Sequence, residues 1–225
     1  MTQNDTNWRP KAIIFDLLTA LLDSWSLWDA STPSKTPEEG RRWRKQYLEL
    51  TFGAGAYTNP STAYESLVRQ SARDVGLPDS APEALLRDWE AGLHAWPEVT
   101  RVLTELRGKR YKLGVVTNCS AELGRVAVRR AEECVGEGFK FDAAITAEES
   151  GFYKPVRAAY EAVLPKLGVG VDEVLFVAGS AGDVQGATDA GMRVVWHNRV
   201  GLARKGDAVA MREGNTLDDA LSGFL

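Results

Sequence analysis

Ile13-Ile14-Phe15-Asp16-Leu17-Leu18 is an apolar run interrupted by a single carboxylate. Ala12–Phe15, ended by that carboxylate, reads as a strand buried on both faces, because a half-exposed strand would alternate apolar and polar residues. Four later runs have the same character: Leu113–Thr117, Ala143–Thr146, Val174–Val177 and Val194–Trp196. Between them lie segments with helical spacing, Thr100–Arg107, Ala121–Cys134 and Ala158–Leu167, the last stopped by Gly168. Strand and helix in alternation predict an α/β fold, a doubly wound Rossmann-like parallel sheet. Trp25 to Trp96 differs. It offers three amphipathic candidates, Arg41–Phe52, Ala63–Val75 and Pro82–Leu93, and a polar loop over Ser31–Gly40. This stretch is too long for one crossover and reads as an inserted helical cap. The expected division is a core of residues 1–21 and 97–225 and a cap of residues 22–96.

The composition narrows the function classes. The 225 residues are 44% hydrophobic with seven Trp, enough for a sizeable core. A net charge of −4 argues against an electrostatic grip on nucleic acid or on an anionic membrane. Cys119 and Cys134 are too few for a disulfide framework or a zinc site. The first eleven residues have no signal-peptide core, and the longest apolar run is too short to span a bilayer. The expectation is a soluble, cytoplasmic protein.

Chemistry-bearing residues gather at the predicted strand ends. Asp16 closes the first strand, as a nucleophile, a metal ligand or a turn residue. Thr117-Asn118-Cys119-Ser120 closes the second, as hydrogen-bond donors to an anion or as a helix cap. Lys154 precedes Pro155 and a helix. The fourth strand runs into Gly179-Ser180-Ala181-Gly182-Asp183, a tight turn that returns a carboxylate toward the sheet.

In order and spacing these four pieces resemble the haloacid dehalogenase superfamily over nearly the whole chain. Further segments resemble its 2-haloacid dehalogenase (type II) branch. They are Trp43-Arg44 with Leu48-Glu49 and Thr51, Lys154-Pro155 with Tyr160 six residues after the lysine, and Trp196-His197-Asn198-Arg199. The resemblance implies Asp16 as nucleophile, Arg44 as acceptor of the leaving halide, Lys154 as partner of Asp16, and Asp183 as helper of the attacking water. It implies a substrate-binding set of Leu17, Leu18, Thr117, Asn118, Tyr160 and Ser180, with no metal and no cofactor. A small anionic organic substrate, a halide product and a homodimer follow from the same resemblance.

The chain departs from two patterns. Magnesium phosphatases of the superfamily carry a second Asp two residues after the nucleophile and an acid four before the last Asp. Leu18 and Gly179 stand there, so no side chain supplies the acid proton and the oxygen set for magnesium is thin. The dehalogenase branch has Tyr, Thr, Ser and Asn where this chain has Leu18, Ala20, Ala178 and Ser180, and Thr19 lies one residue out of register. Ala20 and Ala178 are therefore expected to leave the site short of donors. The leading reading is a metal-independent dehalogenase working through an aspartyl ester. The alternatives are a dehalogenase-fold enzyme recruited to another small-molecule reaction, a non-catalytic protein of that fold, and, least favoured, a phosphatase.

Overall fold

The computed structural model describes residues 8–225. Six strands form one parallel sheet: β1 (Ala12–Asp16), β2 (Lys112–Thr117), β3 (Ala143–Thr146), β4 (Val174–Ala178), β5 (Arg193–His197) and β6 (Arg212–Gly214). Their order is β3-β2-β1-β4-β5-β6. Phe15 stands opposite Val115 on one side and Val177 on the other. Side chains alternate across the sheet. Ile13 and Phe15 enter one apolar cluster with the helical stretch that follows, and Ala12 and Ile14 enter a second on the opposite face. Both faces are covered, which explains why β1 has no polar residue before Asp16.

Among the described residues twelve helices follow the chain. Five precede the second strand's own crossover: α1 (Ser24–Ala30), α2 (Pro37–Ala54), α3 (Tyr64–Asp74), α4 (Ser80–Arg87) and α5 (Trp89–Gly92). The remainder flank the sheet: α6 (Val99–Gly108), α7 (Ala121–Val135), α8 (Ala147–Ser150), α9 (Arg157–Glu161), α10 (Leu164–Leu167), α11 (Ala181–Asp189) and α12 (Leu217–Ala220). Among the described residues no helix is long and apolar enough to cross a membrane.

Several expectations change in detail. Pro82–Leu93 is not one helix. Asp88 leaves helical geometry, with ψ near 9°, and separates α4 from α5. Ala158–Leu167 is likewise two short helices, with Pro165 in the first turn of α10, where a missing N–H costs nothing but a continuing helix would lose a bond. The polar loop at Ser31–Gly40 is shorter than expected. The Thr36 hydroxyl accepts from the Glu39 N–H and starts α2 at Pro37. Helix α1 and strand β6 carry too little pattern to be seen. β6 is Arg-Glu-Gly, mostly exposed at the sheet edge.

The site is placed by topology. Strand order reverses between β1 and β4, and loops leaving these neighbours diverge to open a crevice at their carboxyl ends. Asp16 ends β1, and the turn leading to Asp183 leaves β4.

Candidate active site

Asp16 is 6% exposed. The chain turns back immediately after β1, and both oxygens of its carboxylate are engaged. Oδ1 accepts from Lys154 Nζ at 2.7 Å. Oδ2 accepts from the Thr19 N–H at 3.0 Å, the Thr19 hydroxyl at 2.5 Å and the Ala20 N–H at 3.4 Å. Burial alone would raise the Asp16 pKa. The charge and hydrogen bond of Lys154, with the bonds from Thr19, outweigh it and hold the carboxyl below the usual carboxylate value.

Lys154 is 1% exposed and bridges two carboxylates, with Nζ also 3.0 Å from Asp183 Oδ2. Burial works against its charge, but Asp16 and Asp183 together keep its pKa above the ordinary lysine value. Its backbone is clamped by Asn118. The Lys154 N–H donates to Asn118 Oδ1 at 2.7 Å, and Asn118 Nδ2 donates to the Lys154 carbonyl at 3.1 Å. Asn118 therefore positions the lysine, and one N–H of its amide remains for other partners.

Asp183 is buried and accepts from Tyr160 Oη at 2.8 Å and Ser180 Oγ at 3.0 Å. Burial raises its pKa, Lys154 opposes this, and the nearby Asp16 charge adds to the rise. Two buried carboxylates thus share one ammonium, with the Asp16 pKa lowered and the Asp183 pKa raised. Tyr160 is fully buried behind Asp183. A Cβ at Gly186 would lie 2.5 Å from its hydroxyl, so α11 approaches only as glycine there.

Arg44 comes from α2, on the same cleft wall as Tyr47, Leu48 and Phe52. It is 3% exposed, and its guanidinium carbon lies 4.0 Å from the Trp25 ring centre and 5.7 Å from that of Trp28. Its Nε and Nη1 have no hydrogen-bond partner among the described residues. Burial lowers its pKa from the arginine value. Thr117 Oγ1 is also buried and unpartnered. Leu18, Thr19, Asn118, Lys154, Ser180 and Asp183 complete the cleft. It is narrow and open on one side, with only about 30 Å³ of room for the centre of a water molecule. Leu17 is buried in the core and does not line it.

The structure thus brings Asp16, Arg44, Lys154, Asp183, Leu18, Thr117, Asn118 and Ser180 to one cleft, with Tyr160 behind it and Leu17 below. Two corrections follow. The donor expected to be missing at Ala20 is supplied by Thr19, three residues after Asp16 rather than four, and Ala20 still offers its N–H. Short Asp-x-x-Thr turns of this kind let a side chain bond the backbone ahead of it, which is the signal that could have placed Thr19. Tyr47 was also missed. Its hydroxyl donates to the Asn118 carbonyl at 3.1 Å, tying α2 to the end of β2.

Magnesium, used by phosphatases of this fold, does not fit the residues present. It requires a near-octahedral oxygen set. Here the ammonium of Lys154 already occupies the space between the two carboxylates. At Gly179 a Cβ would fall 2.2 Å from Thr19 Oγ1 and 2.4 Å from the Ala20 N–H nitrogen, so no third carboxylate can enter from that position.

Comparison with known proteins agrees with this architecture. The family model for haloacid dehalogenase-like hydrolases matches residues 13–197. An (S)-2-haloacid dehalogenase of Pseudomonas sp. (strain YL) is 31% identical over 198 residues, covering 85% of this chain and 84% of the relative. The phosphatase MT3486 of Mycobacterium tuberculosis is also 31% identical, over 185 residues and 81% of each chain. The crystal structure of the L-2-haloacid dehalogenase RSc1362 superposes with a TM-score of 0.79 at 25% identity, covering 96% of this chain and 99% of that one. On the breadth of the family match and the identity to these relatives, the chain belongs to the haloacid dehalogenase-like hydrolases.

Proposed function

We propose that the protein is a hydrolytic dehalogenase for a small 2-haloalkanoic acid, working without metal through an ester on Asp16. One observation carries the reading: Arg44 is buried in the Asp16 cleft with two N–H donors unpartnered. A buried cation without a counter-ion is costly unless an anion arrives. A halide departing from the carbon that Asp16 attacks is such an anion. Its charge develops only as the bond breaks, so Arg44 stabilises the transition state more than the ground state.

The steps balance. Asp16 Oδ1, with one contact against three on Oδ2, attacks C2 as the carbon–halogen bond breaks and halide leaves toward Arg44. The substrate carboxylate meets the free hydroxyl of Thr117 and the remaining N–H of Asn118. Water then adds to Cγ of Asp16 while Asp183 takes its proton. The oxyanion forms on Oδ2, which already faces three donors. Collapse breaks the Cγ–Oδ1 bond, the alkoxide takes the proton back from Asp183, a 2-hydroxy acid departs carrying Oδ1, and the water-derived hydroxyl left on Cγ gives up its proton to solvent, so that Asp16 is again a carboxylate and one proton is released with each halide. Lys154 stays charged throughout. Residues 22–96 act as the cap that closes over this chemistry, with Leu48 and Phe52 excluding water.

The phosphatase relative raises a second reading, which needs an acid for the leaving oxygen. Leu18 at that position has none, and its apolar wall suits a carbon–halogen bond better than a phosphate. The test is halide release from (S)-2-chloropropionate in the presence of a chelator, with intact-mass detection of the ester. Release abolished by Asp16→Asn supports the proposal. Chelator-sensitive phosphate release with no halide release overturns it. The proposal also expects a homodimer in the cytoplasm, and light scattering tests the first part.

A further inference from the structure

His197, at the end of β5, is fully buried and lines no part of the Asp16 cleft. A titratable ring at the buried end of a sheet is unfavourable unless it is hydrogen-bonded. Its Nδ1 lies 2.9 Å from the Ala20 carbonyl. A carbonyl only accepts, so the proton stands on Nδ1. Burial holds the pKa below the ordinary histidine value, so the ring is neutral and Nε2 carries no proton. Nε2 lies 3.7 Å from Glu98 Oε1, which already accepts from Arg199 Nη1 at 3.0 Å and from the Leu217 N–H at 3.1 Å. The single N–H of the ring is thus committed to Ala20.

Trp96 makes the matching contact one residue earlier. Its Nε1–H donates to the Thr19 carbonyl at 3.0 Å, and its ring meets the His197 ring edge-on, with 6.3 Å between centres. The Trp96 backbone is itself fixed, by its N–H to the Leu21 carbonyl at 3.0 Å and by the bridge between Leu22 and Ala95. Among the described residues the Thr19 and Ala20 carbonyls have no other partner.

The two carbonyls matter for what lies across the same peptides. The Thr19 carbonyl and the Ala20 N–H belong to one trans peptide, which points them in opposite directions. A donor that draws the carbonyl toward Trp96 therefore turns the N–H toward Asp16 Oδ2, which it meets at 3.4 Å. The bond on the carbonyl also polarises that N–H and strengthens its donation. His197 holds the next peptide plane, so the first cannot swing about Ala20. Gly179 closes the remaining side, where a Cβ would fall 2.4 Å from the Ala20 nitrogen. The turn is gripped on its outer side while its donors face Asp16.

We propose that Trp96 and His197 are positioning residues, which aim the Thr19 and Ala20 donors at Asp16 Oδ2 without touching the substrate. The step they serve, hydrolysis of the Asp16 ester, rests on the dehalogenase reading; the grip on the turn rests on the hydrogen bonds alone. A purely structural role would lower stability and slow both chemical steps together.

The test is rapid-quench halide release from (S)-2-chloropropionate with intact-mass detection of the ester, beside amide exchange followed by NMR. Trp96→Phe keeps a ring and removes the N–H. His197→Leu removes the donor, and His197→Asn keeps an N–H where Nδ1 stands. Trp96→Phe and His197→Leu are each expected to slow ester hydrolysis about tenfold, less than the roughly 10²–10³ for an oxyanion donor removed outright, with the burst of one equivalent kept. His197→Asn is expected to stay within about threefold of the unaltered protein. Exchange of the Ala20 amide is expected to rise about fivefold in Trp96→Phe, with the β1 amides unchanged. Equal slowing of ester formation and hydrolysis, or a His197→Asn variant no faster than His197→Leu, overturns the proposal. Unaltered Ala20 exchange in both Trp96→Phe and His197→Leu overturns it whether or not halide is released. Faster exchange in the variants of a protein that releases no halide keeps the positioning role and overturns the dehalogenase reading instead.

Discussion

Replacing Thr19 by Val keeps the shape of the side chain and both backbone N–H groups, and removes one O–H. In the resting site that hydroxyl bonds Asp16 Oδ2 at 2.5 Å. On the proposed ester it would face the carbonyl oxygen, and after water attack the oxyanion. The two N–H donors that remain are longer, at 3.0 and 3.4 Å, so the hydroxyl is the shortest of the three. Losing one donor from an oxyanion hole costs about 2.7–4 kcal/mol, or roughly 10²–10³ in turnover. The loss should fall on ester hydrolysis and spare ester formation, because the proposed attacking oxygen is Oδ1, held by Lys154. Rapid-quench halide measurement should therefore give a burst near one equivalent followed by slow turnover. Intact mass should show the ester as the main species, and Thr19→Ser should restore most of the rate. Turnover of the Val variant within about threefold of wild type would falsify the oxyanion assignment. So would disappearance of the burst with no ester present, which would move Thr19 to the first step.

Arg44→Met should abolish halide release while leaving the melting temperature equal or higher, because an apolar side chain replaces a buried charge without a counter-ion; a clear fall in melting temperature would contradict that account. Gly179→Asp should not create magnesium-dependent phosphatase activity and should destabilise the protein by about 1–3 kcal/mol in urea, since its Cβ collides with the turn at Thr19. The Asp16 carboxyl is held below its ordinary value, so it contributes stability in full above about pH 3.8 and loses it as pH falls through the lower folded value. Asp16→Asn should accordingly flatten the acid limb of stability measured by denaturant titration, and an unchanged limb would count against the Lys154 pairing. Lys154→Met should cost about 3–5 kcal/mol of stability, because it leaves two buried carboxylates facing each other.

The sheet was legible because each central strand is buried on both faces and must be apolar throughout. The strand-end residues were legible because their order along the chain survives even where each is weak alone. What escaped the sequence is local geometry that pattern does not encode. Nothing in the residues around Asp88 says that a helix pauses there. Strand β6 is held by neighbours rather than by its own side chains. Thr19 looked misplaced when counted against the family pattern, yet the turn after β1 brings its hydroxyl to the same carboxylate. Asn118 reads as a ligand for a substrate in the sequence, whereas two of its bonds go to the backbone of Lys154. The Arg44 environment was the least visible, because it depends on Trp25 and Trp28 from a helix with no detectable period.

The placement of β1 in the middle of the sheet has a consequence for synthesis. Ile13 pairs with Leu113 on one side and Leu175 on the other. While the ribosome is still making the helices that follow, β1 is an apolar strand with two open edges and no partner. Its first partner arrives a hundred residues later and its second after a further sixty-two. At bacterial-type elongation rates of roughly 5–20 residues per second, that leaves it unpaired for several seconds or more. The nascent chain thus carries an exposed apolar strand, and Asp16 meets Lys154 and Asp183 only after residue 183 has been made. A polypeptide released before residue 154 has Asp16 but neither the ammonium that bonds it nor the second carboxylate on that ammonium.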